Sequence, residues 1–450
     1  MKKRVALLLL AACSSPKPPP PVAQAPLNVT PLDAGPPVFA PSLSPSPLDT
    51  KESREVARTL KRVSELRGIT STKPVPGVTL PRDELVGKIK DKAMREFPAD
   101  AIKREGDVLK LFGFAPASFD YLANELRLLE SQLEGFYEPN NGTMYLAGDL
   151  KGAEAKVTLA HELDHALQDQ RWDLKPHSGY RPGESDKTMA HACLAEGDAT
   201  SLMIDYDRAK HGGTALDLDD DLLKASMAAG MELPTLKDVP PILKVGLIAP
   251  YVNGIVFINA ARRKGGWALV NEIWDSPPIT TEQVLHFSKW EAHEPPILVS
   301  TPTGTALGAG WTREDEDSYG ELDLAMTLAQ WIPEPDANRV AADWGGDKSA
   351  VWTKGDEIAF ALHERYDPGA PKAPVYAKVL AGLKKTFGKP KLDTADTFCV
   401  EREGLGPLIL TRKDRDVVLA VGPATRGATW SSKATCAQTK KWADEVLANP

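Results

Sequence analysis

The chain has 450 residues, of which 42% are hydrophobic and 26% are charged, and its formal net charge is −8. This length suffices for one large globular domain or two domains of ordinary size. The acidic balance, without a long basic stripe in the sequence, argues against a nucleic-acid-binding protein.

The N-terminus has the pattern of an export signal. Basic residues at 2–4 precede an apolar run, 5–12, that is too short to span a bilayer as a helix. The run ends in Leu-Ala-Ala-Cys, which resembles the bacterial lipobox, whose Cys is acylated and becomes the mature N-terminus. The alternative is an ordinary export signal cut near Ala12. We expect residues 1–13 to be a lipoprotein signal peptide and Cys13 to anchor the protein by lipid in the bacterial cell envelope.

The segment 14–50 is crowded with Pro, Ala and Ser and has few side chains to bury. It is predicted to be a disordered tether that holds the folded part away from the membrane. Beyond the leader, the sequence shows no transmembrane span. The rest of the chain divides into a mainly helical domain, 51–332, and a small α+β domain, 333–450.

The first folded stretch, 51–119, has the pattern of helices interrupted at Gly68, at 74–81 and at Pro98. The segment 120–134 carries apolar residues at helical spacing and predicts a buried helix. Both are interpreted as scaffold.

A β-hairpin is predicted next, because two β-prone runs, 135–139 and 143–146, flank an Asn-Asn-Gly turn. An extended peptide can add to an exposed sheet edge and be held by backbone hydrogen bonds. Tyr137 would then reach the cleft and is a candidate catalytic residue. The alternative is a partly buried hairpin tyrosine.

The motif His161-Glu162-x-x-His165 lies in an amphipathic segment, 157–170, that predicts a helix. Residues four apart lie on one helix face, so two imidazoles there can bind one metal ion. Zinc suits such ligands and keeps one position open for water in catalytic sites. Glu162 is the candidate general base for that water. The alternative is a surface helix with a His pair.

The third ligand distinguishes the classes of site. A metzincin would have Gly and His where this chain has Gln168 and Arg171, so that pattern is excluded. The next predicted helix offers Glu196 among small residues, which favours an inward-facing carboxylate and a close approach to the motif helix. We expect Glu196 as the third ligand, with His191 as the alternative. Asp198 is a candidate for orienting a ligand His.

These segments resemble a group of bacterial proteins described as zinc metallopeptidases of the gluzincin type. The resemblance covers most of the chain from about residue 60 to 350 and rests on residues 135–139, 158–170, 196–199, 251–254, 265–267, 280–286 and 344–347. It implies that His161, His165 and Glu196 bind one Zn²⁺ and that Glu162 is the general base. Asp164 departs from the family pattern, where a small polar residue such as Thr is expected, but it removes no ligand.

His286 follows a predicted helix start at Thr280. It is a candidate for stabilising the oxyanion of the tetrahedral intermediate, as a separate His does in other gluzincins. The alternative is a helix-end His paired with Glu282.

The C-terminal region changes to short β-prone runs at 358–364, 397–401, 408–411 and 417–421, with helices near 375–387 and 435–447. Cys399 and Cys436 both lie in this region of an exported protein and are the disulfide candidate. Cys193 has no predicted disulfide partner. It is interpreted as a buried apolar residue, with a metal-ligand role as the alternative.

The predicted fold is α+β, with a mainly helical zincin-like catalytic domain that contains a small β-hairpin or sheet, followed by the small α+β domain. The predicted function is zinc-dependent hydrolysis of a peptide or protein substrate. Two alternatives remain. One is a non-catalytic envelope protein that keeps the scaffold for binding or assembly, and the other is a zinc hydrolase of another amide or ester bond.

Overall fold

The computed structural model describes residues 50–149, 152–230, 238–369 and 372–449. The predicted signal peptide with Cys13, and the predicted tether up to residue 49, lie outside the described residues. The described residues form a mixed α+β fold, in agreement with the predicted class.

Most of the helices lie between residues 51 and 341. They are α1 (Lys51–Arg67), α2 (Arg82–Glu96), α3 (Ala99–Phe112), α4 (Tyr121–Gln132), α5 (Gly152–Trp172), α6 (Ser185–Arg208), α7 (Asp220–Gly230), α8 (Pro241–Asp275), α9 (Thr281–Leu285), α10 (Phe287–Glu291), α11 (Gly320–Leu328), α12 (Glu334–Ala341), α13 (Lys372–Phe387) and α14 (Cys436–Leu447).

The strands form two sheets. They are β1 (Gly77–Leu80), β2 (Gly135–Glu138), β3 (Thr143–Ala147), β4 (Thr312–Asp317), β5 (Trp344–Lys354), β6 (Glu357–Tyr366), β7 (Leu392–Asp393), β8 (Thr397–Arg402), β9 (Gly406–Lys413) and β10 (Asp416–Thr425). The small sheet has the order β1-β3-β2, and the seven-stranded sheet has the order β4-β5-β6-β10-β9-β8-β7.

The N-terminal helices begin and end where their capping residues predict. Thr50 caps α1 by accepting from the backbone N–H of Ser53, and Gly68 ends that helix with a φ of 74°. Asp120 caps α4 in the same way. The predicted interruptions at Gly68 and Pro98 are confirmed.

The predicted hairpin is confirmed as β2 and β3, which pair antiparallel. Strand β1 was not predicted. It pairs parallel with β3 and makes β3 the central strand, so β2 is an outer strand of the small sheet. Both strands of the hairpin contact helix α5, which follows them in the chain.

Helices α5, α6 and α8 form the centre of the helical part. The small residues of α6 admit α8 at a very short distance, since a Cβ added at Gly197 would lie 2.2 Å from the carbonyl carbon of Gly254. The small residues around Glu196 were predicted to admit the motif helix α5, and α6 packs against that helix as well, with Nε2 of Gln168 3.1 Å from the carbonyl oxygen of Ala195. Helix α8 is interrupted at Gly266, where φ is 65° and ψ is −161°, backbone angles that glycine adopts readily.

Helix α8 is, among the described residues, long and apolar enough to cross a bilayer by length and composition. Core helices of soluble proteins meet the same criterion, and 56% of its most apolar window is buried within the fold. Its packing against α6 accounts for this apolar character.

The seven-stranded sheet is antiparallel throughout and buries both faces. Alternate residues of its central strands pack on α14 or on the main core. The predicted strands and helices of this region are confirmed, and Cys399 and Cys436 form the predicted disulfide. The sheet starts with β4, however, which precedes the predicted boundary at 333.

Candidate metal centre

Helix α5 is buried on all sides around the motif. Every residue from Thr158 to Gln168 is buried, because α1, α6 and β2 surround this part of the helix. His161 and His165 present their rings one turn apart, with ring centroids 4.9 Å from each other. The alternative of a solvated surface helix is therefore wrong.

Glu196 of α6 completes a group of three potential metal ligands. Its Oε2 lies 3.0 Å from Nε2 of His161 and 3.4 Å from Nε2 of His165. Tetrahedral zinc holds nitrogen and oxygen ligands at about 2.0–2.1 Å, which places ligand atoms about 3.3 Å apart. The observed spacing thus fits zinc, and all three side chains are buried.

The electrostatics of the group also fit a cation. Burial raises the pKa of Glu196, but His165 and His161 outweigh this effect and hold the pKa below its ordinary value. Burial lowers the pKa of His165, but Glu196 and Glu162 outweigh it and raise that pKa to about 10. The three ligand atoms therefore favour a positive charge between them, which a divalent ion would supply in place of a proton.

Glu162 is fully buried next to this group. Its Oε2 accepts a hydrogen bond of 2.9 Å from the backbone N–H of Tyr137 on β2. The Tyr137 hydroxyl donates to Asp169 at 2.9 Å, and burial, reinforced by Asp169, raises the pKa of Tyr137. Tyr137 therefore contacts the predicted base through its main chain, while its side chain binds further along α5.

The residues around the ligands differ from those expected. Asp198, a candidate for orienting a ligand His, binds Arg67 and the indole of Trp274 instead. The side chain that contacts ligand His165 is Gln168, which the sequence did not single out for this role. A Gln one turn after the second His is the signal that points to it.

Asp164 is the residue that departs from the family pattern, and it is fully buried. It accepts a hydrogen bond of 2.9 Å from Gln168. Burial and the neighbouring Asp198 raise the pKa of Asp164 to about 8. It affects the surroundings of His165 without contacting the ligand group directly.

His191, the alternative ligand, lies in another pair. Its Nδ1 is 3.1 Å from Nδ1 of His177, and burial lowers its pKa to about 3. Cys193, also on α6, is buried and free, as its apolar interpretation predicts.

His286 does not pair with Glu282. Its Nε2 lies 2.9 Å from Oε1 of Glu321, and this hydrogen bond raises the pKa of His286. Glu282 instead accepts from Lys289 at 2.5 Å. The oxyanion role of His286 stays a prediction.

A second group of acidic residues, Glu282, Glu294 and Asp367, has metal-like spacing. The ammonium group of Lys289 donates to all three carboxylates, at 2.5, 2.9 and 2.6 Å. The lysine thus lies where a cation would bind these carboxylates, which makes the His-Glu group the stronger candidate metal centre among the described residues.

Tyr251 of α8, in a segment that carries the resemblance but was given no role of its own, is a further neighbour of the centre. Its ring stacks near that of His161, with centroids 6.0 Å apart and an interplanar angle of 29°. The contact places α8 beside the ligands.

Comparison of the chain with protein-family models, with curated proteins and with solved structures finds no match in any of the three.

Proposed function

We propose that this protein is a zinc-dependent peptidase with a zincin-like catalytic centre. The observation that supports this proposal most strongly is the spacing of His161, His165 and Glu196, with their ligand atoms at 3.0 and 3.4 Å. Glu162, on the same turn of α5, provides a carboxylate outside the group of three ligands that can act as a base.

His161 and His165 would hold Zn²⁺ through their Nε2 atoms and Glu196 through a carboxylate oxygen. Zinc, when bound, lowers the pKa of a water molecule and polarises the scissile carbonyl. Burial of the ligands excludes competing water and strengthens their electrostatic interactions.

Glu162 acts as the general base and then as the general acid. Its carboxylate takes a proton from the attacking water and returns it to the leaving amine. The N–H of Tyr137 donates to this carboxylate and fixes its orientation.

A peptide substrate is supported by the position of β2. This strand is at the edge of its sheet and its main chain contacts Glu162, but its four residues are all buried, so an extended chain could pair with it only where this edge is uncovered. A nucleic-acid partner is not part of the proposal, given the net charge of −8.

The protein is further proposed to act in the bacterial cell envelope, anchored through acylated Cys13 and tethered by residues 14–50. The disulfide between Cys399 and Cys436 supports an oxidising compartment. The lipid anchor itself rests on the sequence pattern alone.

The test combines metal analysis with a peptide-library cleavage assay. We expect about one zinc per chain and cleavage that a chelator abolishes. Glu162→Gln should retain zinc and lose turnover, because the amide cannot accept the proton. Glu196→Gln should lose both zinc and turnover.

The pair of variants separates the roles of the two glutamates. Full activity of Glu162→Gln, or a wild-type protein that binds no zinc, would overturn the proposal. Bound zinc without cleavage of any peptide would instead favour a non-catalytic envelope protein.

A further inference from the structure

Gln168 is a buried side chain whose polar atoms all contact the surroundings of the metal centre. Its Oε1 lies 2.9 Å from Nδ1 of His165. Its Nε2 donates to Asp164 at 2.9 Å and to the backbone carbonyl of Ala195 at 3.1 Å. Both amide hydrogens and the amide oxygen therefore have partners.

These partners fix the orientation of the amide. The carbonyl of Ala195 can only accept a hydrogen bond, so the NH₂ group of Gln168 must face it. The amide oxygen consequently faces His165, and an oxygen there requires a hydrogen on Nδ1. In a neutral imidazole the lone pair is then on Nε2, the atom that lies 3.4 Å from Glu196.

The same side chain connects the two helices that carry the ligands. Gln168 and His165 belong to α5, whereas Ala195 directly precedes Glu196 on α6. The hydrogen bond to Ala195 thus links the ring of His165 to the backbone beside Glu196. Asp164 holds the second N–H, so the amide cannot rotate without losing this contact.

We propose that Gln168 is a positioning residue for the metal centre, which fixes the metal-binding tautomer of His165 and its position relative to Glu196. The proposal rests on the proposed function, because it takes the centre to bind zinc. Ligand histidines commonly donate their second ring N–H to an acceptor, and here that acceptor is an amide on the same helix.

Gln168→Met tests the proposal, since methionine keeps the length and approximate volume of the side chain. Zinc dissociation constants are measured by competition with a chelator on the full protein, and Co²⁺ absorption spectra report the ligand geometry. We expect zinc binding to weaken about 10- to 100-fold, as for other losses of such partners, and the Co²⁺ spectrum to change.

Gln170→Met is the matched control. Gln170 lies on the same helix, and its amide binds the segment 71–73 rather than a ligand. This variant should lose stability but keep the zinc dissociation constant and the Co²⁺ spectrum. If Gln168 had only a structural role, Gln168→Met would behave like Gln170→Met: it would lower stability and leave the zinc dissociation constant and the Co²⁺ spectrum unchanged.

A second measurement uses the unsubstituted protein and does not depend on the folding of a variant. Nitrogen-15 NMR of the zinc-loaded protein should show His165 protonated at Nδ1. Protonation at Nε2, or equal zinc affinity of the two methionine variants, would overturn the positioning role and leave the proposed function intact. A wild-type protein that binds no zinc would overturn the proposed function itself, and this inference with it.

Discussion

Arg67 is a fully buried cation whose charge is balanced by Asp198. Its guanidinium donates to both carboxylate oxygens, at 2.7 and 2.9 Å, and a third bond reaches Asn271. The ring of Trp267 lies against the same group, with its centroid 4.4 Å from the guanidinium carbon. Because Asp198 closely follows Glu196 on α6, this pair connects α1 to the helix turn that supplies the third ligand.

We expect Arg67→Leu to lower the free energy of unfolding by about 3–5 kcal/mol, because it leaves a buried carboxylate without its cation. A second substitution, Asp198→Leu, should recover part of this loss, since it removes the uncompensated charge. Denaturant unfolding of the single and double variants measures both effects.

The same helix offers a control at its surface. Arg62 pairs with Glu65 at 3.4 Å, but both side chains are about half exposed. Arg62→Leu should therefore change stability by no more than about 0.5 kcal/mol. If the loss in the double variant equalled the sum of the losses in the two single variants, Arg67 and Asp198 would not be coupled and the expectation would be wrong.

The chemistry of the site was predictable from the sequence only where its geometry is local. His161 and His165 share a helix face by their spacing, and Glu196 is distinguished by its small neighbours. The partners of Asp198 were not predictable, because Arg67 and Trp274 come from distant parts of the chain and meet Asp198 only through tertiary packing.

At the scale of elements, the contact between α6 and α8 depends on two glycines. A Cβ at Gly254 would lie 2.0 Å from the carbonyl oxygen of Cys193 and 2.9 Å from the backbone nitrogen of Gly197. These are backbone atoms of a buried helix and cannot move aside as the end of a side chain can.

We expect Gly254→Ala to lower the free energy of unfolding by about 1–3 kcal/mol or more, because it forces the two helices apart. Gly87→Ala is the matched substitution on α2, where a Cβ meets nothing within 4 Å. There the change should stabilise by about 0.4–1 kcal/mol, since alanine restricts the unfolded chain. Thermal unfolding of the two variants should shift in opposite directions, and a common shift would contradict the role of the close contact.

Elements with a local signal were predicted, and those that depend on pairing were not. The helix α5 and the hairpin of β2 and β3 follow from periodicity and a turn signal. Strand β4 reads Thr-Arg-Glu-Asp-Glu-Asp, and it is extended because it pairs with β5 at the edge of the sheet, where charge is tolerated. Strand β5 begins with Trp344 and two glycines, and Gly346 is needed because a Cβ there would lie 2.0 Å from the carbonyl oxygen of Ile297.

In the whole molecule, the helical part and the seven-stranded sheet share one core. Phe112 of α3 meets Phe360 of β6 edge to face, with centroids 5.2 Å apart. Arg402 of β8 donates to the carbonyls of Leu111 and Phe112, both at 2.9 Å. These carbonyls end α3 and have no partner within the helix, so a residue of the sheet completes the capping of a helix in the other half.

Because the helical part and the sheet share one core, we expect that residues 333–450 do not fold as an independent domain. A fragment of residues 333–450 would lack β4 and the cover over the sheet face that includes Phe360 and Phe398. Exposing a large apolar side chain costs about 1.5–3 kcal/mol, so several together would exceed the 5–15 kcal/mol by which a typical protein is stable. We expect the isolated fragment to aggregate or to bind a hydrophobic dye, as measured by size-exclusion chromatography and fluorescence.

Coexpression with residues 50–332 should restore a soluble complex. A monomeric fragment that binds no dye would instead establish 333–450 as an independent domain.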